Sequence, residues 1–143
     1  MVTVAMDQAE VEDLLKRSIV GRLAVATGEG PYIVPLGYVY ENGKIGFHSS
    51  PKGRKVECFN IDQHVCFEVD EANPEITRYR SALVFGRIEE TQDKEIKLQI
   101  LRRLVEKYPT ERRKEIDFKE CVDDAAVFLI TPEKVTGKKR ISE

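Results

Sequence analysis

Alternation of apolar and polar residues at a period of two runs through most of the chain and predicts strands. Residues 64–70, HVCFEVD, place Val65, Phe67 and Val69 on one face and His64, Cys66, Glu68 and Asp70 on the other. Gly21–Thr27, GRLAVAT, sets Leu23 beside Val25 on one face. Residues 32–40, YIVPLGYVY, predict the next strand. Pro35 removes a ladder donor from it, so this strand must bulge or lie at an edge there. Lys44–Ser49 follows through Glu41-Asn42-Gly43-Lys44, whose Asn-Gly pair favours a tight hairpin. With the turn at residues 28–31, these first three strands are expected to form an antiparallel meander. Tyr79–Glu90 predicts a long strand, in which Gly86 marks a bulge or a close backbone approach. Residues 125–131 give the last clear strand, and the basic stretch 133–139 is its candidate extension.

Between the strands the period changes to that of helices. Within residues 91–108, Ile96, Ile100, Leu101, Leu104, Val105 and Tyr108 form one stripe that Pro109 ends. Residues 7–18 predict a short amphipathic helix with Asp7 and Glu10 as a capping box and Val11, Leu14 and Leu15 on one face. It is either a lid on the barrel or an ordinary packing helix. Residues 55–60 predict a third, short helix. The charged segment 110–121 is a further helical candidate, as a solvated face or a lid. The early connections are too short for parallel crossovers, so about six strands with helices among them predict a small antiparallel barrel. Without repeats, low-complexity stretches or a dividing linker, residues 1–143 are read as a single domain.

Charge narrows the function classes. The 143 residues include 23 Lys and Arg against 25 Asp and Glu, a net charge of −2, without the basic surplus of a duplex binder. No nucleic-acid partner is expected. No apolar run has the length to span a bilayer, and the N-terminus lacks a basic stretch followed by an apolar core, so a cytoplasmic protein without a membrane partner is expected. Cys58, Cys66 and Cys121 are odd in number and lack CxxC spacing, which favours reduced thiols.

The chemistry concentrates in residues 47–60, FHSSPKGRKVECFN. A strand ends in His48-Ser49-Ser50, passes a glycine loop and enters a helix near Arg54-Lys55. Helix starts expose free N–H groups and a partial positive charge that favour phosphate. Ser49 and Ser50 add hydroxyls, and Arg54 and Lys55 add full charges. The alternative is a solvated basic turn. His48 is either a hydrogen-bonded ring or a proton donor beside a ligand. His64, Cys66 and Cys58 fall short of a zinc ligand set, so no metal is expected. Neither GxSxG nor GxGxxG occurs, which disfavours a hydrolase triad and a dinucleotide fold.

The ordered set GRLA, PYIVPL, FHSSPKGRK, VCFEVD and SALVFGRIE resembles the pyridoxamine 5′-phosphate oxidase-like FMN-binding family over residues 7–139, nearest the branch with the nitroimidazole-resistance proteins. The resemblance implies a six-stranded antiparallel split β-barrel that forms a homodimer with FMN at the subunit interface. It implies Arg54 and Lys55 as phosphate ligands, with His48, Ser49 and Ser50 beside them. Ile33, Val34, Pro35 and Leu36 would offer backbone groups to the flavin ring edge, and Ser81 and Lys138 would contact the cofactor from the other subunit. It also implies a catalytic role for His48. The chain has no Trp and lacks the Arg-rich ending of the true oxidases, so oxidation of a B6 vitamer is not expected. The expected function is FMN-dependent reduction of a small nitro- or quinone-like molecule. The alternatives are a non-catalytic module for flavin, haem or deazaflavin on the same fold, and a structural homodimer with an empty cleft.

Overall fold

The computed structural model describes residues 2–50, 52–109 and 125–141. Eight strands and three helices are present among them: β1 (Val2–Ala5), α1 (Gln8–Arg17), β2 (Gly21–Thr27), β3 (Gly30–Leu36), β4 (Val39–Glu41), β5 (Lys44–Ser49), α2 (Arg54–Ile61), β6 (His64–Ala72), β7 (Tyr79–Glu90), α3 (Lys94–Lys107) and β8 (Ala126–Ile141). They form one sheet in the order β3-β2-β6-β7-β8-β5-β4, with β1 on β8, and every pairing is antiparallel. The curled sheet does not close, because β3 and β4 stand at its two ends without pairing. This is the antiparallel split barrel expected from the resemblance.

Its strand count exceeds six for two reasons. The stretch 32–40 divides into β3 and β4 at Gly37-Tyr38. Tyr38 turns inward there and is fully buried. Its N–H donates to Tyr108 Oη at 3.1 Å, and its hydroxyl donates to the Leu15 carbonyl. A backbone N–H tied to a helix residue cannot continue a ladder. The expected meander is therefore two separate hairpins, β2–β3 and β4–β5, at opposite ends of the sheet. The second reason is β1, which pairs with the far half of β8. β8 itself runs 16 residues, so the basic tail does extend the last strand.

Both glycine and proline punctuation resolve in the structure. Pro35 lies on β3, an edge strand, where a missing donor costs no interior bond. At Gly86 the β7–β8 register shifts, and a Cβ there would run into the Thr131 carbonyl oxygen. Bulge and close approach are thus one feature.

Leu23, Val25, Phe47, Phe67, Val69, Val84, Phe128 and Ile130 fill the barrel. α1 packs Val11, Leu14 and Leu15 into that core, and the Asp7 carboxylate accepts the Glu10 N–H at 2.8 Å as its cap. α3, capped by Asp93, covers the other side of β4, β5 and β8 in a second cluster of Val39, Ile100, Leu101, Leu104 and Val127. Its predicted stripe is rotated at the start, where Lys97 is buried and Ile96 is exposed. The charged segment 110–121 and Cys121 lie outside the described residues. Among the described residues, no helix is long and apolar enough to cross a membrane.

Candidate functional site

The corner between β5 and α2 is built by alternation. Ile45 and Phe47 point into the barrel, and Ser49, of the same parity, follows them. Its partner across β8 is Ala126, a member of the barrel core. Ser49 Oγ is therefore buried, and it has no hydrogen-bond partner among the described residues. An unsatisfied buried hydroxyl costs about 1–3 kcal/mol. It can donate to a polar group of a ligand.

α2 begins four residues on. Gly53 is its N-cap, with φ of 151°, a backbone region that side chains disfavour. No side chain caps the helix, so its first N–H groups stay open to a ligand. Ser50 Oγ accepts the Lys52 N–H at 3.3 Å and shapes the loop. Lys55 is half-buried and has no hydrogen-bond or ion-pair partner among the described residues. Arg54 leans toward the β2–β3 hairpin. Its guanidinium lies 5.1 Å from the Tyr32 ring centre, and Nη2 donates to Glu29 Oε2 at 3.3 Å. Both partners of that pair are mostly exposed, so it is worth only about 0–1 kcal/mol, and a phosphate dianion would compete with Glu29 for the guanidinium. An orphan hydroxyl, an open helix start and two cations fit a phosphoryl group.

The same contact joins the corner to β3. From Tyr32 the strand runs on through Ile33, Val34, Pro35 and Leu36, with β2 on one side and no strand on the other. Val34 and Leu36 pack toward the core, whereas Ile33 and Pro35 face outward. The free edge of β3 presents unpaired backbone groups, as an extended ring edge requires.

His48 does not share the Ser49 face of β5. It pairs with Val127, which belongs to the α3-side cluster, so it lies on the opposite face of β5 from Ser49. Ser81 and Lys138 are direct cross-strand partners on β7 and β8. They share the outer sheet face with Ile33 and Pro35. Pro35 pairs with Arg22, Arg22 with Glu68 and Glu68 with Leu83, so Leu83 lies three strand spacings away, about 14 Å, and Ser81 is two residues beyond it along β7. The fold thus brings together Ser49, Ser50, Arg54 and Lys55 with the β3 edge. It leaves Ser81 and Lys138 apart.

Between these two halves the outer face carries an apolar stripe. An open cavity of about 410 Å³ is lined by Ala24, Ala26, Pro31, Cys66 and Phe85. Ile33 is 62% exposed and Phe85 39%. Beside it Arg22 Nη1 reaches Glu68 at 3.1 Å and Asp70 at 2.9 Å. Burial, then Asp70, pushes the Glu68 carboxyl up, and burial likewise raises the Cys66 thiol.

Glu29 and Tyr32 were not singled out by sequence reasoning. Their role depends on α2 folding back beside the β2–β3 hairpin, a long-range placement with no local signal. Lys107 was missed as well. Its Nζ donates to the Tyr38 carbonyl at 2.9 Å and lies 3.9 Å from the Tyr38 ring centre, and burial pulls its pKa down to about 8.

Comparison with known proteins matches this architecture. The family model described as pyridoxamine 5′-phosphate oxidase fits residues 7–139. A solved candidate 5-nitroimidazole antibiotic resistance protein from Bacteroides thetaiotaomicron superposes with a TM-score of 0.82 at 24% identity, covering 96% of this chain and 87% of that one. A FAD-binding protein from Mesorhizobium loti gives 0.75 at 26% identity, over 97% and 99% of the two chains. A flavocytochrome from Azotobacter vinelandii gives 0.78 at 22%, over 96% and 70%. No curated protein sequence matches the chain. Since the family model spans nearly the whole of it, from the cap of α1 into the last strand, the chain belongs to the pyridoxamine 5′-phosphate oxidase family.

Proposed function

We propose that the protein is an FMN-binding flavoprotein that works as a homodimer and reduces a small nitro- or quinone-like molecule. The observation that carries the proposal is the buried Ser49 hydroxyl, without a partner among the described residues, beside the open start of α2. In this reading Ser49, Ser50, Arg54, Lys55 and the first N–H groups of α2 hold the phosphate. β3 brings Ile33, Val34, Pro35 and Leu36 to the ring edge, where the backbone groups of alternate residues point away from β2 and are open to it. Family membership and the flavin-binding solved neighbours support it. Bound flavin would supply the electron transfer, and the protein binds and orients it.

The outer face supports the dimer of this reading. Its apolar stripe separates the β3 edge from Ser81 and Lys138. A second copy laid on that stripe brings its own Ser81 and Lys138 toward the first copy's β3. The cleft then excludes water with residues of both subunits. Light scattering of Ile33→Glu against wild type tests this: a wild-type monomer overturns it.

The spectrum of the purified protein tests the cofactor. Flavin bands, with FMN recovered after denaturation, are the expected result. Recovered FAD would keep the flavin and correct its identity, a Soret band would mean haem, and a colourless protein that gains no bands with added FMN removes the proposal. Lys55→Ala should weaken FMN binding by about 1–3 kcal/mol. Unchanged affinity in both Lys55→Ala and Arg54→Ala would refute the phosphate assignment.

The position of His48 favours a second reading. On β5 it has the parity of Val127 and not that of Ser49, which supports a reading in which the chain's own cleft takes no proton from it. A flavin carrier or sensor on this fold needs none. Full reductase turnover by His48→Ala would remove the catalytic role, and absence of turnover with any pyridine nucleotide donor would favour the carrier.

A further inference from the structure

A cavity of about 320 Å³ lies between α1 and the sheet. That is within the roughly 300–1,000 Å³ usual for small-molecule sites. The pairing of β8 explains why it is there. β7 pairs with one edge of β8 from Phe128 to Arg140. The other edge is paired by β5 over 126–130 and by β1 over 138–141. Between them the Gly137 carbonyl accepts the Met6 N–H at 2.9 Å, and among the described residues no strand pairs with 131–136 on that side. α1 lies across this gap, and its Val11 and Leu15 face the space beneath.

Val135 shows that the space is not filled. It pairs with Val84, so the two side chains share a face of the sheet. Val84 is fully buried, whereas Val135 is 45% exposed. Met6, Val11 and Leu15 continue the apolar wall. A Cβ on Gly137 would come within 2.6 Å of Val11 and 2.9 Å of Met6, so the cavity is closed at that end.

The polar part of the lining holds one acid and no base: Glu12, with Gln8 and Tyr40 beside it. Glu12 is half-buried, and the Gln8 amide donates to it at only 3.5 Å. It has no ion-pair partner among the described residues. The lysines of β8 do not serve it. Lys139 binds Glu10 at 2.7 Å, and Lys134 and Lys138 pair with Phe85 and Ser81 of the outer face. The Tyr40 hydroxyl also has no hydrogen-bond partner among the described residues. Burial, then Glu12, pushes the Tyr40 phenol up, so it stays neutral and its oxygen can accept. An ammonium group suits this pair, because a charged donor to a carboxylate makes the stronger kind of hydrogen bond. An anion would meet like charge.

The cavity is separate from the corner at α2. None of Ser49, Ser50, Arg54 and Lys55 lines it. We propose that it binds a small apolar amine, with the hydrocarbon part against Met6, Val84 and Val135 and the ammonium group between Glu12 and Tyr40.

Calorimetric titration of the purified protein tests this with phenethylamine, phenethyl alcohol and hydrocinnamate as probes. The amine should bind tightest and the carboxylate should not bind. Glu12→Gln should weaken amine binding about tenfold or more and leave the alcohol unchanged. Val135→Phe, which fills the cavity, should abolish binding of both. The place of binding is read from the Met6 methyl signal in methyl-labelled protein, which should shift with the amine and show a nuclear Overhauser effect to its ring. The inference is overturned if the amine does not bind, if the alcohol or the carboxylate binds as well, or if Glu12→Gln or a folded Val135→Phe binds the amine like wild type. A Met6 methyl unmoved at saturation also overturns it, and that readout decides the point should Val135→Phe fail to fold. None of these measurements depends on flavin, so a colourless protein would leave the result intact.

Discussion

Ser49→Ala should act with opposite sign on the free and the cofactor-loaded protein. In the free protein Ser49 Oγ is buried without a partner among the described residues, so the folded state bears the cost of stripping water from it. That cost is about 1–3 kcal/mol, and alanine, which fits the same space, removes it. For a chain of 143 residues each kcal/mol is worth about 3–5 °C of melting temperature. The cofactor-free variant should therefore melt at least about 3 °C higher than wild type. In the loaded protein of the proposed reading the hydroxyl would donate to a charged phosphate oxygen, a bond worth about 1.5–3 kcal/mol. Its loss should raise the FMN dissociation constant about 10- to 150-fold. Differential scanning fluorimetry of apo and FMN-saturated protein measures both effects in one experiment. A variant that is less stable without cofactor, and binds FMN as well as wild type, would show that Ser49 already has a partner and that the cradle is elsewhere.

Three further outcomes concern the frame that holds the site. Gly86→Ala forces a methyl against the Thr131 carbonyl, which belongs to the β7–β8 ladder and cannot move aside. It should cost about 3 kcal/mol in urea unfolding, and an unchanged midpoint would mean that the two backbones do not meet there. Tyr108→Phe removes the acceptor for the Tyr38 N–H and the donor to the Ile19 carbonyl at 2.6 Å. A loss of about 1–3 kcal/mol is expected by thermal melting, and a neutral variant would show that water replaces the phenol. Glu71 is held by Arg17, then Arg80, with its folded pKa lowered from 4.5 to about 2. A depressed carboxylate stabilises the fold above its unfolded value and loses that contribution as pH falls from about 4.5 toward 2. Because the group is over a third exposed, screening limits the effect to about 1 kcal/mol. The stability gap between wild type and Glu71→Gln should close over that acid range, and a gap constant with pH would refute the assignment.

What the sequence disclosed and what it withheld divide along a physical line. Features fixed by neighbours in the chain were legible. Alternation located Val65, Phe67 and Val69 inside the barrel, the Asp7 carboxylate capped α1, and the Asn42-Gly43 pair closed the β4–β5 hairpin. The corner proposed for phosphate was legible for the same reason, since Ser49, Gly53, Arg54 and Lys55 belong to one strand end and one helix start. Features set by distant partners were not. The split of residues 32–40 depends on Tyr108, some 70 positions away, drawing Tyr38 inward. His48 and Ser49 read as a pair because they are adjacent, yet adjacency on a strand places them on opposite faces. Alternation alone would have separated them, had it been carried through from Phe47. That rule also bears on the mechanism. A residue that is to share a ligand with Ser49 from within β5 must have the parity of Ile45 and Phe47, and both of those are buried in the core. A proton donor to a molecule in this cleft would therefore have to come from an element other than β5, and under the proposed dimer the candidates are on the outer face, with Ser81 and Lys138.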